Sequence, residues 1–436
     1  MWCVKPALSN TRSKFFFVPA NLFLGLLIVV AGLRVMVPSA KQAELESLVG
    51  QEVVVGGKLY DDPDRTADNL YKIRFKTDGR VNVFATLRVR EIDGVLERGD
   101  TIVLRGKLNA GFGAFAGSIY RGEVVSYSKS NPPDRLLEIR NWFSNLLERH
   151  IPEPESALAL GYLLGQKRAL PAALLNVLAI TGLTHIVVAS GANLTIITRM
   201  MRRLFGKSRW RALVVALLAV GMMVGMIGFA PSLVRAGLVS VLALLAWYFG
   251  RPVHPVRLIL LAAATTLIID PSFILDVGWQ LSFAAFGGVL LFAPVLTRFF
   301  YGEEKAKTLP QIAIETLGAT ILTLPILLYH FGYFSLLSLV ANLLILPTIP
   351  LAMLLSFMAG GLAFLPPLAM LAGVLATWVL RYHIAVMEFF GEMEFAIVEV
   401  SWAGWQMALA YAVILVIWLA MKFGTRTRLL EVNIIE

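Results

Sequence analysis

Nineteen successive residues from Phe15 to Leu33 carry no charge, and twenty-three from Ala212 to Val234 carry none either. About 20 apolar residues in a helix span the hydrocarbon core of a bilayer, and comparable runs recur down to Lys422. Within lipid every backbone N–H and C=O has to be satisfied inside the protein, so runs of this length fold as packed helices. Composition agrees: 57% of the residues are hydrophobic and 16% charged, against about 45–50% and about 25% in soluble domains. The expected fold class is a polytopic α-helical membrane bundle with a small extracytoplasmic all-β domain. The chain is not built as a soluble enzyme.

The single cysteine, Cys3, excludes a disulfide framework and a cysteine-based zinc site. His150, His185, His254, His330 and His383 show no metal-ligand spacing, so neither a metal nor another cofactor is expected. The net charge of +10 reports first on membrane topology.

Residues 1–40 read as a cytoplasmic N-terminus, with Lys5, Arg12 and Lys14, followed by an anchor helix. The apolar run is longer than the roughly 7–15 residues of a signal-peptide core, so an uncleaved anchor is expected. Residues 41–134 differ in kind. Short alternating runs such as Tyr71–Phe75, Val81–Leu87 and Thr101–Leu104 are separated by turns at Asp61-Asp62-Pro63-Asp64, Thr77-Asp78-Gly79 and Arg98-Gly99-Asp100. This pattern predicts a small antiparallel β domain, either OB-like or another barrel or sandwich. Residues 135–151 form an amphipathic helix with Leu136, Leu137, Ile139, Trp142, Phe143, Leu146 and Leu147 on one face. It lies on the membrane surface or packs against the β domain.

Residues 152–422 hold nine or ten predicted membrane segments, and residues 423–436 form a cytoplasmic tail. The loop 199–211 carries Arg199, Arg202, Arg203, Lys207, Arg209 and Arg211 without an acid, which places it in the cytoplasm. Alternation from there puts the β domain outside and leaves the crossing parity of 333–400 open.

Polar groups inside such a bundle are expensive and mark pathways. Four stretches contain them. Gly182–Thr195 carries His185, Ser190, Gly191, Asn193 and Thr195; Ala230–Arg235 carries Ser232 and Arg235. Asp270–Ser282 carries Gln280 and Ser282, and Thr323–Pro350 carries Asn342 among prolines 325, 347 and 350. His185 and Ser190 admit an intramembrane hydrolase, but no acid accompanies them within the stretch to complete a nucleophile's machinery. Close helix packing by small residues explains much of the same stretch. The interrupted segments also fit a secondary transporter of a small solute, and an outer domain on a bundle fits a membrane scaffold of an envelope complex.

In this order the stretches resemble the membrane competence domain of the ComEC family. The segments that carry the resemblance are PEPESALALGYLLGQKRALP (152–171), TGLTHIVVASGANLTII (181–197), APSLVRAGL (230–238), DPSFILDVGWQLSFAAFGGVLL (270–291) and TLPILLYHFGYFSLLSLVANLLILPTIP (323–350). The resemblance implies a channel in the cytoplasmic membrane that passes single-stranded DNA during natural transformation, with no catalytic residues. Path residues are then expected among His185, Ser190, Gly191, Asn193, Thr195, Ser232, Arg235, Gln280, Ser282 and Asn342. Implied partners are single-stranded DNA, membrane lipid, a DNA receptor, a separate nuclease, a cytoplasmic ATP-driven helicase and a second copy of the chain. Two departures stand out. Asn193 occupies a position where the family pattern usually has a second histidine, and the metallo-β-lactamase-like domain of many members is not expected in this chain. The β domain, with 15 Lys and Arg against 14 Asp and Glu over residues 41–135, holds less positive charge than a strong grip on duplex DNA requires.

Overall fold

The structure is a computed structural model that describes residues 25–35, 40–65, 70–77, 81–88, 96–166, 170–187, 191–206, 208–228, 231–250, 254–304 and 307–426. A short apolar helix, α1 (Gly25–Val35), lies at the end of the apolar run that starts at Phe15. The helix α2 (Ala40–Ser47) leads into β1 (Glu52–Leu59), β2 (Asp64–Arg65), β3 (Leu70–Thr77), β4 (Val81–Arg88), β5 (Thr101–Phe112) and β6 (Phe115–Ser128).

Period-two burial organises these strands. Val81, Val83, Ala85 and Leu87 of β4 turn into a core shared with Ile73, Phe75, Ile102, Leu104, Leu108 and Ile119. β1 pairs with β5, β5 with β6, β6 with β4 and β4 with β3, and β3 returns to β1 through Lys58↔Lys76 and Leu59↔Phe75. Only the β4–β6 pair is parallel. Five strands therefore close in the order β1-β3-β4-β6-β5, an OB-like barrel, with β2 as a short addition beside β3.

The barrel is bolted to the bundle. Asp134 caps α3 (Arg135–Glu148) by accepting from Leu136 and Leu137 N–H. Burial raises the Asp134 carboxyl, but the Arg98 hydrogen bond and charge, with these two amides, bring it below its usual range. On α3, Arg140 is 1% exposed and pairs with Asp62 of the barrel. Asn141 reaches Glu97 at 3.0 Å. The opposite side of α3 enters the bundle, where Phe143 stacks on Phe357 at 5.9 Å. Ile139 and Trp142 stay exposed.

After α3 come α4 (Glu155–Leu164), α5 (Ala172–Ile180), α6 (Thr184–Val187) and α7 (Gly191–Phe205). Then follow α8 (Arg209–Ile227), α9 (Pro231–Tyr248) and α10 (Pro255–Ile269). A 3-10 turn, Pro271–Leu275, precedes α11 (Val277–Gly287), which runs through a π turn into α12 (Ala293–Tyr301). The remaining elements are α13 (Thr308–His330), β7 (Tyr333–Ser335), α14 (Ser338–Ile345), α15 (Ile349–Gly361), α16 (Pro366–Gly391), β8 (Ile397–Glu399) and α17 (Gly404–Gly424).

Among the described residues five helices are long and apolar enough to cross a membrane: α8, the continuous α11–α12, α13, α16 and α17. The pair α14 and α15, bent by 51°, makes a sixth if counted as one span. This is fewer than the nine or ten expected. The difference lies partly in 152–200, where apolar composition continues but the backbone does not. Gly165 (φ 64°) ends α4 and Gly182 (φ 69°) follows α5, the left-handed geometry that terminates helices. Gly182 consequently divides the run 174–200 after α5, and α4 is ten residues, all buried. The stretch 333–400 leaves and returns at one end, because β7 pairs with β8.

Helix directions follow from contacts with the barrel. α8 ends at Gly228, against Arg98. α10 ends at Asp270, which pairs with Lys76 at 3.1 Å. α13 ends at His330, bonded to Gln280 on α11. The opposite helix ends carry Arg209 and Arg211, Arg257, Arg298, Lys307 and Lys422. The bundle thus has a barrel end and a basic end.

Candidate functional site

Two aspartates set the direction of α11. Asp270 Oδ1 accepts from Ser272 N and Oγ, fixing the 3-10 turn, and Asp276 accepts from Trp279 N at 2.7 Å as the cap of α11. Acidic caps suit the positive end of a helix. In the second turn of α11, Ser282 Oγ accepts from Arg235 Nε at 2.7 Å. Arg235 stands one turn inside α9 and is 7% exposed. Its guanidinium lies 5.6 Å from the ring centre of Phe283 and 5.1 Å from that of Phe286. A Cβ on Gly191 would come within 3.3 Å of Arg235 Nη2, so the start of α7 lies directly against the cation. Among the described residues no carboxylate pairs with Arg235.

The structure therefore brings together three expected site residues, Gly191, Arg235 and Ser282, from α7, α9 and α11. Gln280 sits nearer the barrel, donating to Ile274 C=O at 2.9 Å and meeting His330 Nε2 at 3.1 Å. Asn193 turns to the other side of α7 and donates to Tyr162 C=O at 2.9 Å. Thr195 donates back to Gly191 C=O at 2.8 Å, with its side chain exposed. His185 donates from Nδ1 to Gly182 C=O at 3.0 Å, apart from the Arg235 cluster. Asn342 is 3% exposed in α14, with Oδ1 unpartnered among the described residues. Ser190 and the side chain of Ser232 lie outside the described residues.

Sequence reasoning missed Phe283 and Phe286, whose i, i+3 spacing is equally that of an ordinary packed helix face. It also missed a buried polar chain behind α7. Thr348 Oγ1 donates to Ile345 C=O at 2.9 Å, so it accepts from His383 Nε2 at 2.7 Å. With its proton on Nε2, the neutral ring accepts at Nδ1 from Tyr162 O–H at 3.2 Å. Arg381 pairs with Glu155 at 2.6 Å nearby. One signal was available: His383 and Arg381 are polar residues within an otherwise apolar run.

A second cluster lies on the barrel. Phe84, Phe112, Phe115 and Tyr120 bring their rings together at 5.3–6.3 Å, with Phe112 45% and Tyr120 56% exposed. Phe84 faces outward from β4, in register with Arg74 of β3. Together β3 and β4 carry Lys72, Arg74, Lys76 and Arg88 and no acid. The charge that is nearly balanced over the whole domain is thus polarised on these strands, although Asp61 and Asp270 neutralise Arg74 and Lys76. The β5–β6 hairpin touches the bundle where Gly113 meets Leu275 C=O, beside the start of α11.

A family model described as Competence protein matches residues 162–424, which contain the whole Arg235 cluster. The chain belongs to the competence protein family. ComE operon protein 3 of Bacillus subtilis (strain 168) is 28% identical over 245 residues, covering 54% of this chain and 31% of that relative. The match therefore spans about a third of the relative's length. No solved structure matches the chain. In this competence protein the barrel and α3 precede the matched region, so the aromatic cluster lies outside it.

The polar chain behind α7 supports that core. Replacing His383 by Leu leaves Tyr162 O–H buried without its acceptor, which costs about 1–3 kcal/mol. Thermal unfolding of the detergent-purified protein is expected to show this loss, with His383→Gln recovering part of it.

Proposed function

We propose that the chain conducts single-stranded DNA across the cytoplasmic membrane, with the barrel outside and the basic end in the cytoplasm. The observation that carries this reading is Arg235. A buried guanidinium, braced by one serine and two phenylalanine faces and without a carboxylate among the described residues, offers charge for phosphate and surface for bases. Those are the two elements of single-strand binding that tolerate any sequence. An intramembrane cation of this kind belongs to a pathway more often than to a scaffold. Family membership and the relative's name support a competence role. The cations gathered at one end support the orientation.

In this reading the strand first meets the barrel. OB barrels take oligonucleotides on the face of their second and third strands, here β3 and β4. The aromatic cluster offers stacking, and the β5–β6 hairpin delivers the strand to the head of α11. From there Gln280, Ser282 and Arg235 lead inward. The chain acts as a conduit, not an enzyme. Pulling falls to a cytoplasmic ATP-driven helicase, strand separation to a separate nuclease, and capture to a DNA receptor outside.

The test is entry of labelled DNA into the cytoplasm of cells lacking the chain, compared with complemented cells. Loss of entry with DNA still held outside is the expected result. Normal entry without the chain overturns the reading and turns the search to a small solute. For the barrel, Phe84→Ala with Tyr120→Ala is expected to weaken oligonucleotide binding by the purified chain about tenfold or more, since a stacked base contributes about 1–3 kcal/mol. Fluorescence anisotropy measures it.

A further inference from the structure

The cations Arg199 and Arg203 do not lie in a loop. They occupy the last turns of α7, and the connection to α8 is only residues 206–208. α7 starts against Arg235 and ends beside the basic end of the bundle, where Arg202 lies 4.3 Å from the ring centre of Trp247, near the end of α9. Over its 15 residues α7 carries three arginines and no acid. Its faces differ sharply. Asn193, Leu194 and Thr198 are buried, whereas Thr195, Arg199 and Arg203 are all exposed.

Residues four apart stand one above another on a helix, so these three form a row running from the Arg235 cluster to the basic end. Arg199 lies six residues before Phe205, about 9 Å into the bundle at 1.5 Å per residue. A cation at that depth facing lipid is costly, so a row that continues inward from it belongs against water. The spacing of Arg199 and Arg203, about 6 Å, is comparable to that of successive phosphates in an extended strand.

We propose that Thr195, Arg199 and Arg203 line the far half of the path and pass phosphodiester groups from Arg235 to the basic end. This deepens the function proposed above and rests on it. Arg199 and Arg203 would then set selectivity for a polyanion, beyond reporting which side of the membrane the helix ends face.

Two measurements test it. In a Cys3→Ser background, Thr195→Cys and Arg199→Cys are treated with a membrane-impermeant methanethiosulfonate, with Leu218→Cys on the exposed middle of α8 as the lipid-facing control. The two α7 cysteines are expected to react and the control to stay unreacted. In parallel, Arg199→Gln with Arg203→Gln is expected to lower cytoplasmic DNA entry about tenfold, while the Lys pair keeps it near the natural level. If both α7 cysteines stay as unreactive as Leu218→Cys, the row faces lipid and the proposal falls. If they react but the double Gln chain passes DNA normally, the phosphate role falls. Neither outcome touches the conduit itself, which fails only if cells without the chain import DNA normally.

Discussion

Arg235→Gln is expected to cut cytoplasmic entry of labelled DNA about a hundredfold while DNA held at the outer surface stays constant. Hydrogen bonds to charged groups contribute about 1.5–3 kcal/mol each, and about 2.7 kcal/mol is a factor of 100. Gln keeps a donor for Ser282 Oγ but loses the charge and the planar face set against Phe283 and Phe286. Arg235→Lys keeps the charge without the fork and the stacking plane, so its entry should fall between the two. Ser282→Ala removes only the acceptor that aims Nε and is expected to cost about tenfold, the factor that about 1.4 kcal/mol makes. Entry through Arg235→Gln at the natural level would remove the residue from the path. Expression and melting temperature of each variant separate lost passage from lost folding.

The second large effect is expected at the joint between barrel and bundle. Asp62→Ala leaves Arg140, 1% exposed, without the carboxylate it faces. Breaking a buried ion pair from one side costs about 3–5 kcal/mol, whereas replacing both partners by apolar residues is often close to neutral. Asp62→Ala should therefore lower the unfolding temperature of the detergent-purified protein markedly. Asp62→Leu with Arg140→Met should recover most of it. Equal losses in the single and double variants would mean that the pair does not hold the joint. Acid should loosen the same region. The Asp134 carboxyl titrates below its usual value, so its contribution is complete above the unfolded carboxylate range. That contribution is lost as pH falls through the folded value. Protease sensitivity of residues 129–134 should rise in that window.

Some of this architecture was legible in the amino-acid order. Alternation marked the strands of the barrel, since Ile73, Phe75, Val83 and Ala85 obey a period of two that only a half-buried strand needs. Arg235 drew notice because a lone cation in an apolar run has no cheap place to sit. Other features were hidden for physical reasons. The breaks at Gly165 and Gly182 depend on positive φ, and glycine in an apolar run serves close packing equally well. Partners far apart in the chain leave no local trace. Arg140 meets Asp62 across 78 residues and Arg381 meets Glu155 across 226. Arg199 and Arg203 were read as loop because cation density signals a membrane boundary, while their exposure on one row shows only when α7 is seen as a helix.

The small sheet of β7 and β8 has a mechanical meaning. Tyr333 faces Glu399, Phe334 faces Val398 and Ser335 faces Ile397, so both ends of a segment of more than sixty residues are fastened at one point. The clasp makes entry and exit of this segment a single station at the barrel end, and the helices between are held in place by their packing on α3, α4 and α5. Asn342, Thr348 and His383 are therefore carried on a loop of chain closed at one point, so their placement is set within that loop and does not depend on where the chain runs before Tyr333 or after Glu399.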